Sequence, residues 1–500
     1  VMRSRGVSVS IILQNLAQLK ALFEKQWESY CYKTILKPTQ KIDKAFVVAG
    51  TNARGTAYGV FDLSQKIGVS PWYWWSDVPA VKQKELVLSQ KDFQSKAPSV
   101  KFRGIFLNDE DWGLLPWASK TFEPEVGNIG PKTYAKIFEL LLRLKANTIW
   151  PAMHEGTTAF FKIPGNAKIA EKYQIVVGTS HAEPMLRNNV DEWNKNAMGQ
   201  FNYVSNRESV YKYWEDRVKE SKNVDAIFTM GMRGVHDSKM EGVKNNKEGA
   251  ELLTHILGDQ RQLIEKYINP DATKVPQAFT VYKEVLDLYD EGLKVPEDIT
   301  LVWTDDNYGY IRRLSNPEEQ KRPGGGGVYY HASYWGRPHD YLWVDSVHPA
   351  LLREEMMKSY YSNCDKIWIL NVGDLKSIEY STQLFLDIAY DVSFFEEATN
   401  VKKHMSRFYS SIFGETYGKT IADSKWDYFD LAFERKPEFM GWSQTEPTTK
   451  TKLTAYNPFF FGDENQTRIT KYQNLENQVN ALKDKLPKRH SSIAFSILAF

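Results

Sequence analysis

A (β/α)8 barrel, preceded by an α/β domain and followed by a helical bundle, is the fold this sequence predicts. Three observations predict it. From Phe102 onward about eight short apolar runs recur, and each ends in a polar tip. Helical segments separate the runs, and strands alternating with helices read as βαβ units of a parallel sheet. From about Leu375 the pattern changes to amphipathic helices alone. At 500 residues the chain is too long for one ordinary core, so two or three domains are expected. The expected divisions are 1–98 for an incomplete α/β domain, 99–375 for the barrel and 376–500 for an incomplete bundle.

The first part reads as a small α/β unit. Leu16, Leu19, Leu22 and Phe23 recur at helical spacing, which predicts a helix over Ile11–Ser29. Ala45–Ala49 suits a short strand. Gly50, Gly55 and Gly59 surround a turn, and Tyr58–Ile67 continues as a helix. These glycines are not spaced as G-x-G-x-x-G, so a dinucleotide site is a weak reading. The aromatic cluster Pro71-Trp72-Tyr73-Trp74-Trp75 reads as a packing wedge between domains in preference to a sugar platform.

The barrel runs follow in order. They are FRGIFLND, ending at Asn108-Asp109; NTIWPAMHE, Asn147–Glu155; IVVGTSHAE, Ile175–Glu183; and DAIFTMGMRGVHD, Asp225–Asp237. Then come QAFTVYKE, Gln277–Glu284; ITLVWTDDN, from Ile299; GVYYHASYW, Gly327–Trp335; and DKIWILNVGD, Asp365–Asp374. The sixth is the most telling. Ile299 to Trp303 is apolar and β-rich, as a strand buried on both faces requires, and it stops abruptly at Thr304-Asp305-Asp306-Asn307. Between the runs, Pro131–Lys145 is the clearest helix, with Pro131 at its start and a broad apolar face. Asn206–Glu220 and Lys247–Tyr267 also read as helices. Beyond Leu375, helices are expected at Ile378–Tyr390, Phe394–Ile412 and Asn474–Lys485.

Right-handed crossovers place every strand's C-terminal end on one face of such a barrel, where catalytic groups are carried. Asp109, His154, Glu155, His181, Asp237, Glu284, Asp305, Asn307, His331 and Asn371 are therefore expected to converge on one mouth. A single acidic tip could be a turn or a helix cap. Eight tips of this chemistry are hard to explain that way.

Composition narrows the chemistry. Net charge is +2 with both signs interspersed, so no basic stripe argues for nucleic acid. No apolar run is long enough to span a membrane. Cys31 and Cys364 are far apart and outside any His pattern, and two buried thiols are expected in preference to a disulfide. There is no G-x-S-x-G. His154-Glu155 opens like H-E-x-x-H, but the fifth position is Thr158, so the zinc protease reading fails. No short-spaced His pair argues for a catalytic metal, and no metal or other cofactor is expected. Gly324–Gly327 precedes a strand, which makes it a poor phosphate loop. What remains is a carboxylate-rich mouth with abundant Trp and Tyr. That is the equipment of glycoside hydrolysis, where one acid protonates the leaving oxygen and a second carboxylate activates water or attacks the sugar. Arg233, His181 and His331 would add positive charge, which suits a substrate carrying its own carboxylate. For Arg233 a salt bridge to a site aspartate is an equal alternative.

At these residues the sequence resembles the glycoside hydrolase family 115 xylan α-glucuronidases. The segments that carry the resemblance are RGTAYGVFDLSQKIGVSPWYWWSDVP, RGIFLNDEDWGL, NTIWPAMHE, GTSHAEPM, TMGMRGVHD, VYKEV, WTDDNYGYIRRL, YYHASYWGRPHDYLW and WILNVGDLKSIEY. They span most of the chain, and together they are highly specific. The resemblance implies removal of α-1,2-linked glucuronic acid, or its 4-O-methyl ether, from xylan with inversion. It places functional positions at Asp109, His181, Arg233, Asp237, Glu284, Asp305, Asn307, His331, Tyr334 and Asn371. Within that set Glu284 is expected as the general acid, and Asp237 and Asp305 as the residues that position and activate water, helped by Asn307. Arg233, His181, His331 and Tyr334 are expected to hold the uronate, with Asp109 and Asn371 also binding substrate. The partner is then glucuronoxylan or its oligosaccharides.

The chain opens at Val1 and closes on an uncapped apolar run, Ser491–Phe500, which reads as a piece of a longer protein. Family members carry more chain before the first residue and a further β-rich domain after the bundle. That C-terminal region is linked to dimerisation and to a contribution to the site from a partner chain. A secreted or periplasmic location is the expectation for the full-length protein. Two rivals stand beside this reading. One is a hexosaminidase-like barrel using Asp305-Asp306 as adjacent acids. The other is a xylan-binding barrel without activity.

Overall fold

A computed structural model describes residues 26–436, apart from 77, 79, 83, 337–339 and 343, together with 459, 462–483, 485–487 and 490. Most of the helix expected over Ile11–Ser29 and the apolar run from Ser491 lie outside the described residues.

Eight parallel strands make the central sheet: β4 Phe102–Phe106, β5 Thr148–Trp150, β6 Val176–Val177, β7 Phe228–Thr229, β8 Gln277–Thr280, β9 Thr300–Thr304, β10 Gly326–His331 and β11 Ile367–Asn371. The hydrogen-bonded order runs β6-β5-β4-β11-β10-β9-β8-β7. The two ends meet: the Val177 N–H donates to the Asp225 carbonyl at 2.9 Å, and the Ile227 N–H donates to the Val177 carbonyl at 3.0 Å. The sheet is therefore a closed barrel. Almost every strand residue is buried, because side chains on one face fill the barrel and those on the other meet the helices. Phe106, Trp150, Val302, Tyr329 and Ile369 are among those that fill the interior. Gly104 lets β4 and β5 close up, since a Cβ there would lie 1.8 Å from the Thr148 carbonyl oxygen.

Seven crossovers or exits carry a helix, at Pro131–Arg143, Asn166–Tyr173, Arg207–Glu220, Asn246–Tyr267, Glu284–Asp290, Pro349–Tyr361 and Glu379–Tyr390. The crossover after β9 has only a 3-10 turn, Glu319–Lys321. Its place over the strand is taken by packed side chains. Trp303 Nε1 donates to Ser315 Oγ at 2.8 Å, and the Arg313 guanidinium lies over the Trp303 ring.

The N-terminal part is an antiparallel sheet in the order β2-β1-β3, with β1 Tyr30–Thr39, β2 Ile42–Gly50 and β3 Phe93–Gln94. The helix Ala53–Lys66 covers one face, and the Asn52 side chain accepts from the Gly55 N–H to cap it. The strand expected at Ala45–Ala49 lies inside β2. The strand β1 was not anticipated, because Lys33, Lys37 and Pro38 break its apolar pattern. This unit sits beneath the barrel, at the N-terminal ends of the strands. Glu28 is fully buried there between Arg54 and Arg103, and Asn147, just before β5, donates to it. The aromatic cluster is a wedge: Trp72 Nε1 donates to Gln383 on one neighbouring helix, and Trp75 Nε1 donates to the Lys136 carbonyl on another.

Helices Asn400–Phe413, Glu415–Glu434 and Glu464–Lys483 form the last layer. The single helix expected at Phe394–Ile412 is two elements, a 3-10 turn Val392–Phe395 and the helix from Asn400. The break is held by Asn400 Nδ2, which donates to the Phe394 carbonyl at 2.7 Å. The helix expected at Asn474–Lys485 begins earlier, at Glu464. This layer reaches the mouth. Lys436 Nζ donates to the Ser346 carbonyl at 2.8 Å and lies over the Tyr341 ring. Both cysteines are buried and unpaired.

Candidate active site

The residues expected at the mouth fall into three groups around two tyrosines, Tyr282 and Tyr329. The first group is a charged cluster after β7 and β8. Arg233 is 3% exposed and grips Glu284 with two N–H donors, Nε to Oε1 at 2.9 Å and Nη2 to Oε2 at 2.8 Å. Its remaining nitrogen, Nη1, pairs with Asp237 Oδ1. One guanidinium thus holds two carboxylates side by side, the fork geometry that Arg supplies and Lys cannot. Asp237 also pairs with Lys283 Nζ through Oδ2 at 2.8 Å, and His181 Nε2 lies 2.8 Å from Oδ1. Burial, then the charges of Arg233 and Lys283, push the His181 imidazole well below its usual range. The ring is therefore neutral, with Nε2–H donating to Asp237 and Nδ1 left as a buried acceptor without a partner among the described residues.

Sequence and structure differ over how Glu284 is carried. It does not end its strand, because β8 stops at Thr280 and Glu284 opens the helix Glu284–Asp290. Lys283 precedes that helix with φ +51°, and Asp237 lies on a turn with φ +58°, following His236 at +57°. Three non-glycine residues with left-handed backbone around one ion cluster are strained positions, each costing on the order of 1–3 kcal/mol. Such a cost is met where the surrounding contacts fix the side chains in place.

The second group follows β9 and β10. Asp305 is buried, and its Oδ2 accepts the Gly309 N–H at 3.2 Å. Its Oδ1 lies 2.6 Å from His331 Nδ1, the last residue of β10. Asn307 (φ +68°) sits in a ring of hydroxyls. Tyr282 donates to its Oδ1 at 2.9 Å, its Nδ2 donates to the Tyr334 hydroxyl at 3.1 Å, and Tyr341 donates to its carbonyl at 2.9 Å. Burial pushes the Tyr334 phenol up to about 12, so it stays protonated and can donate.

The third group lies across β4 and β11. Asn371 pairs in register with His331 and with Phe106. Its Nδ2 donates to the Tyr329 hydroxyl at 2.9 Å, and its Oδ1 accepts the Gly373 N–H at 3.0 Å. Gly373 (φ +62°) is needed here, since a Cβ would meet Ser333 Oγ at 2.5 Å and Asp109 Oδ2 at 2.8 Å. Asp109 accepts from Ser333 at 3.3 Å and has His154 Nε2 3.8 Å away. Burial pushes its carboxyl up to about 7 against the pull of His154. Asp109 can therefore carry or release a proton near neutrality. His154 is held between Asp111, at 3.0 Å, and the ring of the half-exposed Trp335. Glu155, also expected at the mouth, is exposed and stands outside these groups.

Tyr282 and Tyr329 join the groups. The Tyr282 ring meets His181 edge-on at 4.8 Å while its hydroxyl serves Asn307. The Tyr329 ring lies 4.7 Å from His331 and 5.7 Å from His181. Sequence reasoning passed over Tyr329, Lys283, Ser333 and Tyr341. For Tyr329 a signal was present, since it stands two residues before His331 and so faces the same side of β10. For Lys283 there was none, because its direction comes from a backbone angle that the sequence does not announce. The site has two carboxylates on one cation, a third on a histidine, and a floor of tyrosine hydroxyls. It can deliver a proton, take one from water and hold a polyhydroxyl ring. Among the described residues no group of His, Cys, Asp and Glu could hold a metal ion.

Comparisons place this architecture among known proteins. The model for glycosyl hydrolase family 115 matches residues 95–439. A solved family 115 4-O-methyl-α-glucuronidase, described as specific for decorated arabinogalactans, is 45% identical with a TM-score of 0.88. That match covers 95% of this chain and 62% of that one. A family 89 glycoside hydrolase from Clostridium perfringens, solved with 2-acetamido-1,2-dideoxynojirmycin, has a TM-score of 0.55 at 10% identity. It is matched over 95% of this chain and 57% of that one. A family 138 enzyme targeting pectin rhamnogalacturonan II has a TM-score of 0.50 at 10% identity, over 82% of this chain and 50% of that one. The last two likenesses show the fold alone. No curated protein matches the chain.

Proposed function

The chain belongs to glycosyl hydrolase family 115, and from that premise we propose that it removes α-linked glucuronic acid or 4-O-methylglucuronic acid from a plant polysaccharide, with inversion. The observation that carries this reading is the Arg233 guanidinium, which clasps Glu284 and Asp237 together at the barrel mouth. Glu284, carrying a proton, protonates the glycosidic oxygen as the bond to the sugar's anomeric carbon breaks. A water on the opposite face attacks that carbon, and Asp237 or Asp305 takes the water's proton. Asn307 and its tyrosine neighbours orient that water. An inverting enzyme needs roughly 6.5–9.5 Å between acid and base to fit it. In the free site both Glu284 oxygens are engaged by Arg233, so proton delivery requires that grip to loosen when substrate enters.

Glucuronoxylan is the first substrate proposed, from the sequence resemblance. Decorated arabinogalactan is the second, because the solved relative at 45% identity is described as specific for it. The chain spans 62% of that relative's length, and a homodimer completed by further C-terminal sequence is part of the proposal. So is a secreted or periplasmic location, since the polysaccharide lies outside the cell.

The test is release of free uronic acid from each polysaccharide, for the parent and Glu284→Gln, with the first-formed anomer followed by NMR. Release by the parent as the β-anomer, lost in the variant, is expected. Release by both would move the acid to another carboxylate. Release of the α-anomer would overturn inversion. No release from either polysaccharide, by this chain or by a longer form, would overturn the activity.

A further inference from the structure

We propose that Lys283, and not Arg233, is the cation that receives the carboxylate of the substrate. The proposal rests on the uronidase reading above and names the residue that would give it specificity for an acidic sugar. Arg233 is poorly placed for that task. Its Nε and Nη2 are both held by Glu284, its Nη1 lies against Asp237, and the residue is 3% exposed. Even when that grip loosens for proton delivery, the Arg233 side chain stays at 4% exposure behind Glu284, against 38% for Lys283.

Lys283 stands one residue before Glu284, and its side chain is 38% exposed. Its Nζ carries three N–H donors and pairs with one carboxylate, Asp237 Oδ2 at 2.8 Å. The Tyr282 ring lies 4.8 Å from it, a face that attracts a cation without using its N–H donors on an acceptor oxygen. The backbone pays for this placement with a positive angle at a lysine, φ +51° with ψ −126°, where glycine would fit without strain.

Charge balance agrees. The cluster holds two cations, Arg233 and Lys283, and two carboxylates, Asp237 and Glu284. His181 is neutral and adds nothing. Once Glu284 carries the proton it must donate, the cluster as a whole holds one positive charge in excess, which matches one uronate carboxylate, and of its two cations Lys283 is the one exposed to the mouth. A neutral hexoside would leave that charge unmatched in a half-buried site, so discrimination against it follows from the same geometry.

The experiment is calorimetric titration of the 500-residue chain with glucuronate and with glucose, for the parent, Lys283→Met and Lys283→Arg. The expected result is a parent that prefers glucuronate and a Lys283→Met form whose affinity for glucuronate alone falls about 10- to 100-fold. Lys283→Arg should recover most of the loss, which shows that the site has remained folded. A Lys283→Met form that keeps the preference would overturn the proposal and leave the uronidase reading standing. Equal loss of both sugars would also overturn it, and would reduce Lys283 to a partner of Asp237. A parent with no preference would overturn both.

Discussion

Glu28 offers the sharpest test of how the barrel is held from below. Its carboxylate is fully buried beneath the strands, with Arg103, itself fully buried, at 2.8 Å and Arg54 on the other oxygen. Asn147 donates to both oxygens at 3.1 and 3.0 Å, and Tyr58 donates at 3.2 Å. Glu28→Gln keeps the shape but removes the charge and turns an acceptor into a donor facing other donors. Arg103 is then left in a dry site without a counter-charge, while Arg54 keeps Asp225 at 3.0 Å. Removing one partner of a buried pair costs about 3–5 kcal/mol. In a unit of 150–250 residues that lowers the unfolding midpoint by on the order of 10 °C. Burial alone would raise the Glu28 carboxyl, but Arg103 and then Arg54 outweigh it and hold it below the usual 4.5. A lowered carboxylate stabilises above its unfolded value, and that contribution is lost as pH falls through the folded one. The midpoint gap between parent and variant should therefore be large at pH 7 and shrink below about pH 4.5. Thermal unfolding followed by circular dichroism across that range reads both. The same midpoint for parent and variant at pH 7, within about 1 °C, would refute the reasoning. So would a gap that widens in acid.

The other predictions concern the mouth and the barrel wall. Arg233→Lys keeps the charge and loses the fork to Glu284, so kcat/KM on a uronide substrate should fall at least about 100-fold and stability by about 1.5–3 kcal/mol; a fall under threefold would show that the clasp is dispensable. Asp109 has its carboxyl raised to about 7, so its contribution is complete below pH 3.8 and is lost as pH rises through 7. Asp109→Asn should then flatten part of the parent's stability loss between pH 4 and 8, a loss of on the order of 4 kcal/mol from this group. Unchanged pH profiles would contradict that. Asp345, whose carboxyl burial also pushes up, is untouched by that variant and should keep part of the slope. Gly104→Ala sets a methyl group 1.8 Å from the Thr148 carbonyl and should cost more than about 3 kcal/mol; a variant that melts with the parent would mean β4 and β5 can part at no cost.

Much of the architecture was legible in the sequence because barrel strands are buried on both faces. ITLVWT and KIWILN can be apolar along their whole length only in that setting, and each must turn polar where it leaves the barrel. Pro131 and the broad apolar face after it marked the first crossover helix for a similar reason. The β1 strand was hidden, since it lies half on the surface of a small sheet and its lysines and proline mask the alternation. The break between Phe395 and Asn400 was hidden too, because a single side-chain hydrogen bond from Asn400 back to the Phe394 carbonyl holds it and both flanks are amphipathic.

For the site, the sequence by itself determined most of the residues that reach the mouth. Nine of the ten strand-tip residues expected there stand around Tyr282 and Tyr329, because right-handed crossovers bring polar strand tips to one face, and Glu155 is exposed outside it. What only the tertiary structure decided is which of them are free to act. Arg233 had two equal readings, a hand for the substrate or a salt bridge to a site aspartate, and it lies against two acids, Asp237 and Glu284. Lys283 looked like a spacer and is the exposed cation. Asp109 was expected to bind substrate, and burial pushes its carboxyl up to about 7. The sequence carries the type of each charged group, but its partners, its burial and its backbone angle come from segments far apart in the chain. Those three quantities set whether a charge holds the fold or meets a ligand.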